Sequence, residues 1–168
     1  VEEKYESTNP NTGQSSILIV DDSKDVRLYL SGLLKSDYNI IEAKDGREGI
    51  NLASENSPDL IISDIMMPEM DGIEFCKKIK TDFQTSHIPV ILLTAKVSDK
   101  SKIEGLETGA DDYLTKPFDS IELFIRIKNL LQQRKRLREK FSKEINIQPN
   151  SVTTNTVDNE FLKKAFDV

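Results

Sequence analysis

Five polar residues of this 168-residue chain could carry chemistry together: the carboxylates Asp21, Asp22 and Asp64, the hydroxyl of Thr94 and the ammonium of Lys116. Three carboxylates brought into one pocket repel at neutral pH. Proteins tolerate such a cluster mainly when a cation fills it. Oxygen ligands with open positions suit Mg²⁺, which keeps several waters and is held by one or two carboxylates plus phosphate oxygens. A carboxylate there can act as a nucleophile and form an aspartyl phosphate. Lys116 would bring a compact positive charge to a phosphoryl oxygen, and Thr94 one hydroxyl donor. With Mg²⁺, Lys116 would neutralise charge on the equatorial oxygens of an in-line displacement. Singly, each residue has an ordinary explanation. Asp-Asp and Thr94 could cap helices, Asp64 could be turn chemistry, and Lys116 a solvated loop lysine. The chemical reading needs all five at one end of one sheet.

The elements that must place them are legible as short apolar runs. SILIV (16–20) ends at Asp21-Asp22, and a helical pattern follows over 24–34. NIIEA (39–43) is the second strand, with a helix over 47–54. DLIIS (59–63) is the third, closing at Asp64, with a helix over 72–83. IPVILLT (88–94) is the fourth, with a polar helix over 99–107, and DDYLT (111–115) the fifth. Runs without clean alternation suit strands buried on both faces, as in a parallel sheet covered by helices. Strict strand–helix alternation predicts a doubly wound α/β domain over 16–131. Ligands in such sheets bind beyond the carboxyl ends of the strands, where all five residues fall.

The polar residues 1–15 read as a linker, and a chain opening on Val1 reads as a segment of something longer. A formal charge of -6 argues against nucleic-acid binding by this segment. The single cysteine, Cys76, excludes an internal disulfide and is expected as a packed apolar group; His87, the one histidine, is expected on a surface loop. No apolar run approaches the roughly 18 residues of a membrane helix. A cytoplasmic segment without membrane contact is the expectation, including as the cytoplasmic part of a membrane-anchored hybrid protein.

The runs ILIVDDS (17–23), DLIISDIMMPEMDG (59–72), PVILLTA (89–95) and DDYLTKPF (111–118) resemble the receiver domain of bacterial two-component response regulators. The resemblance covers 16–131 without departure at a key position. It implies the flavodoxin-like fold of the chemotaxis regulators, strand order 2-1-3-4-5, and phosphorylation from a histidine kinase. By the same resemblance Asp64 would be the phosphoacceptor and Asp22 a direct Mg²⁺ ligand. Asp21 would be a mostly water-mediated ligand, and the backbone carbonyl of Met66 would complete the protein ligands. Thr94 and Lys116 would bind phosphoryl oxygens, Lys116-Pro117 would be a cis peptide, and Thr94 with Tyr113 would form a switch. Output in this family usually runs through the face of the fourth helix, fifth strand and last helix, where phosphorylation often drives pairing into a homodimer through charged residues. Candidates there are Lys102, Glu104, Asp111, Asp112 and Arg126, each otherwise a solvated surface charge.

Asp119 and Glu122 suggest a capping box for the last helix, whose stripe Leu123, Ile127 and Leu130 should seal the sheet. The spacing continues through Arg134, Leu137 and Phe141 while the sequence turns basic, QQRKRLREKFSK (132–143). This extension is either a solvated linker helix or a seam pairing with a second copy; Glu139 and Glu144 interrupt any DNA-contacting run. Residues 132–168 resemble the join between a receiver and an AraC-type helix-turn-helix domain. That implies a hybrid two-component protein in which kinase, receiver and DNA-binding domain share one polypeptide, with DNA bound only by the downstream domain. Two other classes fit the residues less well. A Mg²⁺ phosphohydrolase would need a second carboxylate two residues past the nucleophile, where Met66 stands. A degenerate receiver would lack part of the five-residue set.

Overall fold

The computed structural model describes residues 13–95 and 109–145. Five strands form: β1 (Ser16–Val20), β2 (Asn39–Ala43), β3 (Leu60–Asp64), β4 (Val90–Thr94) and β5 (Asp112–Thr115). All pair in parallel in one sheet of order β2-β1-β3-β4-β5, the flavodoxin-like arrangement. The helices are α1 (Lys24–Leu34), α2 (Gly46–Asn56), α3 (Gly72–Thr81) and a C-terminal helix, Ser120–Ile145. Parallel neighbours need crossover connections, and α1, α2 and α3 supply those from β1 to β2, β2 to β3 and β3 to β4. The helix expected over 99–107, with Lys102 and Glu104, lies outside the described residues, as do 1–12 of the linker and 146–168 of the tail.

Strand alternation divides the core into two slabs. Leu18 and Val20, Ile61, and Val90 and Leu92 face a slab completed by Ala53, Phe75, Cys76 and Ile79 from α2 and α3. Ile17 and Ile19, Leu60 and Ile62, and Ile91 and Leu93 face the other, completed by Leu30, Leu34, Leu123 and Ile127 from α1 and the C-terminal helix. Cys76 and the sealing residues Leu123 and Ile127 are fully buried. Each such side chain contributes about 1.5–3 kcal/mol through burial. These slabs make the sheet a stiff platform for whatever projects from its ends.

Three helices start on the same device: the Ser23 hydroxyl, Asp45 Oδ1 and Asp71 Oδ1 accept from Val26 N, Glu48 N and Glu74 N. Each satisfies one orphan donor of a first turn. At the C-terminal helix Asp119 Oδ1 accepts from Ile121 N. The second half of the expected capping box is corrected: Glu122 faces Arg126, accepting from Nη2 at 2.7 Å, because a charged partner one turn ahead outcompetes a backbone amide behind it. The surface charges Asp111, Asp112 and Arg126 are likewise corrected. Arg126 Nη1 donates to Asp112 Oδ1, and Lys80 Nζ pairs with Asp111 Oδ2 at 2.7 Å.

Smaller corrections concern strand ends. β3 includes Asp64 itself, since Ile65 N still donates to Leu93 O in the ladder, and β4 begins at Val90 rather than 88. The described residues fall into two compact units, one ending at Leu131 and one beginning at Gln132. In the second, Leu137 and Phe141 expose more than half of their surface. Among the described residues no helix is long and apolar enough to cross a membrane.

Candidate functional site

Sheet register brings the reactive groups level. Val20 pairs with Ser63, so the next residues, Asp21 just past β1 and Asp64 at the end of β3, stand side by side. Thr94 closes β4 opposite Thr115, and Lys116 follows directly, its amide donating to Thr94 O at 2.6 Å. Carboxylate oxygens of Asp21, Asp22 and Asp64 lie within 4.8 Å of one another. Asp21 and Asp64 are buried and Asp22 is exposed, so the cluster is a cup open to solvent on one side.

Lys116 Nζ reaches into this cup, 3.1 Å from Asp64 Oδ1 and 3.6 Å from Asp21 Oδ2. Asp21 is held on every side but one. Its amide donates to Ala43 O at 3.2 Å, its Oδ1 accepts from Ser23 N at 2.8 Å, and its backbone carbonyl accepts from Arg27 Nη1 at 2.8 Å. Oδ2 is buried without a hydrogen bond. Lys116 Nζ gives this oxygen an ion pair at 3.6 Å but no hydrogen bond, and a buried carboxylate oxygen without one favours a further cation. Burial pushes the Asp21 carboxyl above its ordinary range, and Asp64 and Asp22 push the same way, while the Ser23 amide and Lys116 oppose them. The donor set is all oxygen, with two buried carboxylates and an open side, which fits a hard divalent cation such as Mg²⁺.

The segment after Asp64 is fixed by backbone bonds: Met67 N and Gly72 N both donate to Ile65 O, at 3.1 and 2.9 Å. Gly72 is required there, because a Cβ would stand 2.1 Å from Asp64 O. Met66, two residues past Asp64, is 72% exposed. Tyr113 on β5 is half-buried against the α2–α3 slab, and the Lys116-Pro117 peptide is cis.

The structure thus gathers Asp21, Asp22, Asp64 and Lys116 in one cup, with Thr94 at the adjoining strand end. Two contributors escape a reading of the sequence. Ser23, unremarked in the sequence, caps α1 with its hydroxyl and fixes the Asp21 carboxylate with its amide. Arg27 gives no signal of its own, since its partners, the Asp21 carbonyl just past β1 and Glu42 on β2, meet it only in the folded chain.

The family model of the response regulator receiver domain matches residues 17–128. The chain belongs to that family. A protein called histidine kinase P4, from Formosa agariphila, is 50% identical over 167 residues, covering 99% of this chain and 12% of the relative. The alkaline phosphatase synthesis transcriptional regulatory protein PhoP of Bacillus subtilis is 43% identical over 118 residues, 70% of this chain and 48% of its own. The chain therefore spans less than half of these curated relatives. Among solved structures, the signal receiver domain of a histidine kinase from Syntrophus aciditrophicus superposes with a TM-score of 0.68 at 41% identity, covering 73% of this chain and 93% of that one. Chemotaxis protein CheY4 of Vibrio cholerae gives 0.67 at 36%, covering 70% and 98%. This receiver domain shares with them the two-component signalling fold, in a family that generally accepts phosphoryl groups from histidine kinases.

Proposed function

We propose that this receiver accepts a phosphoryl group on Asp64 from a phosphohistidine, with Mg²⁺ held by Asp21, Asp22, Asp64 and the Met66 carbonyl. The reading is carried by Lys116 Nζ standing 3.1 Å from Asp64 Oδ1 beside three clustered carboxylates. When bound, the cation supplies positive charge to the phosphoryl oxygens. An Asp64 carboxylate oxygen attacks phosphorus, the P–N bond of the donor breaks, and its electron pair leaves with the imidazole. Lys116 holds one equatorial oxygen and Thr94 donates to another. Thr94 moves toward the new dianion, and Tyr113 turns inward behind it, biasing a two-state element. Water later returns Asp64 and phosphate, so the domain is a timed switch rather than an enzyme.

A small acyl phosphate with Mg²⁺ should add one phosphoryl group by intact mass, and Asp64→Asn should add none. Undiminished labelling of the variant sinks the assignment.

The match of the Formosa kinase along nearly the whole chain supports placement in a hybrid histidine kinase; a cytoplasmic position and transcriptional output through a further, AraC-type domain rest on the resemblance of residues 132–168 alone. The parent gene sequence tests both. The exposed Leu137 and Phe141 support a second reading of the C-terminal helix, as a seam with another copy. Equal monomeric sedimentation of chains ending at Leu131 and Val168, with and without a phosphoryl mimic, removes it.

A further inference from the structure

We infer that Arg27 is a positioning residue for the metal cup, acting through the backbone of Asp21. The inference rests on the Mg²⁺ reading above. Three groups fix the Asp21 main chain and carboxylate, and two are backbone atoms, Ala43 O and Ser23 N. The third, Arg27 Nη1 on the Asp21 carbonyl, is a side-chain hydrogen bond to the main chain, distinct from the Lys116 ion pair at Oδ2. Arg27 reaches it from the first turns of α1, and its Nε lies 3.5 Å from Glu42 Oε2 on β2. The guanidinium therefore ties α1, the end of β1 and β2 together. Its side chain is only 15% exposed, so the tie is shielded from water.

The purpose follows from what stays unbound. With its amide, carbonyl and Oδ1 engaged, Asp21 presents a single oxygen, Oδ2, to the cup. Loosening the carbonyl lets the peptide rotate and that oxygen drift. Groups that orient a metal ligand without touching the metal typically change affinity by about 10–100-fold when lost. Electrostatics alone predicts the opposite sign. Arg27 is a cation beside an acidic cluster, and deleting it by Coulomb's law favours Mg²⁺. Glu42 offsets that charge, so a cationic side chain is tolerated at this point.

Calorimetric titration of the full 168-residue chain with Mg²⁺ separates these effects, alongside thermal melts of each variant. Arg27→Ala should weaken Mg²⁺ binding roughly tenfold or more. Arg27→Lys, which keeps the charge and one donor but not the fork, should fall between wild type and Ala. Glu42→Ala, which removes an ion-pair partner without touching the carbonyl bond, should stay within about twofold. An Arg27→Ala chain that melts cooperatively and binds Mg²⁺ as well as or better than wild type overturns the inference. If that chain does not fold, Arg27→Lys decides, and wild-type affinity overturns it. A wild type that takes up no Mg²⁺ removes the site reading itself, a result distinct from equal binding by both chains.

Discussion

Replacing Gly72 by alanine should damage the reactive end of β3 out of proportion to one methyl group. The added Cβ would lie 2.1 Å from Asp64 O, 2.8 Å from Ile65 Cα and 2.9 Å from Asp64 C. All three are backbone atoms, so no flexible side chain can swing aside. Ordinary contact begins near 3.4 Å, and about 1.3 Å of main-chain movement is needed. Either α3 recoils, breaking the 2.9 Å bond from Gly72 N to Ile65 O, or the Asp64 peptide is pushed out of the ladder. Overpacking of this kind destabilises by about 1–3 kcal/mol. A misplacement of about 1 Å at a reacting group can lower rate by about a hundredfold. Urea unfolding and the rate of labelling by an acyl phosphate measure the two effects. Gly32→Ala on α1 is the control: nothing lies within 4 Å of its Cβ, so it should stabilise by about 0.5–1 kcal/mol and leave the rate alone. A Gly72→Ala protein with the wild-type midpoint and rate would refute the reasoning.

Asp21→Asn should raise the melting temperature of the metal-free protein at neutral pH. The folded-state pKa of Asp21 is raised by burial, so its stabilising contribution is present below the unfolded-state value and lost as pH rises through the folded one. The advantage of the variant should therefore shrink as pH falls toward 4, and melts in chelator across that range check it. Added Mg²⁺ should stabilise wild type and leave Asp21→Asn nearly unmoved. Lys116→Met, which strips the cation from between Asp64 and Asp21, should slow acyl-phosphate labelling while tightening Mg²⁺ binding in the same calorimetric titration. Asp111→Ala should cost about 1–3 kcal/mol in urea unfolding, because Val90 N and Lys80 Nζ both lose the acceptor Oδ2.

The sheet and its order were legible because buried parallel strands leave contiguous apolar runs, and the polar residues that end them mark the functional edge. Asp21, Asp22, Asp64 and Lys116 could be grouped from that edge alone. Asp64 was expected just past its strand and is instead its last residue. The chain pattern marks where apolar side chains stop, whereas the ladder continues to Ile65 N. The misreadings at Asp111 and Asp112 share a cause. Whether a surface charge is solvated or paired depends on partners such as Lys80, 31 residues from Asp111, which no local pattern encodes. Arg27 escapes a local reading too: Asp21 is six residues away, but Glu42, its other partner, is brought near by the pairing of β1 with β2.

Cys76 has a practical consequence. It is the chain's single thiol and sits fully buried in the slab under α2 and α3. A cysteine introduced on the surface would thus be labelled against a silent background, with no need for a cysteine-free parent. Left as the sole thiol, Cys76 becomes a clock: it reacts only when α3 lifts from the sheet, and the rate of that reaction reads the free energy of opening. Since α3 begins at Gly72, against the carbonyl of Asp64, the same clock registers whether events at the reactive carboxylate tighten or loosen that side of the sheet.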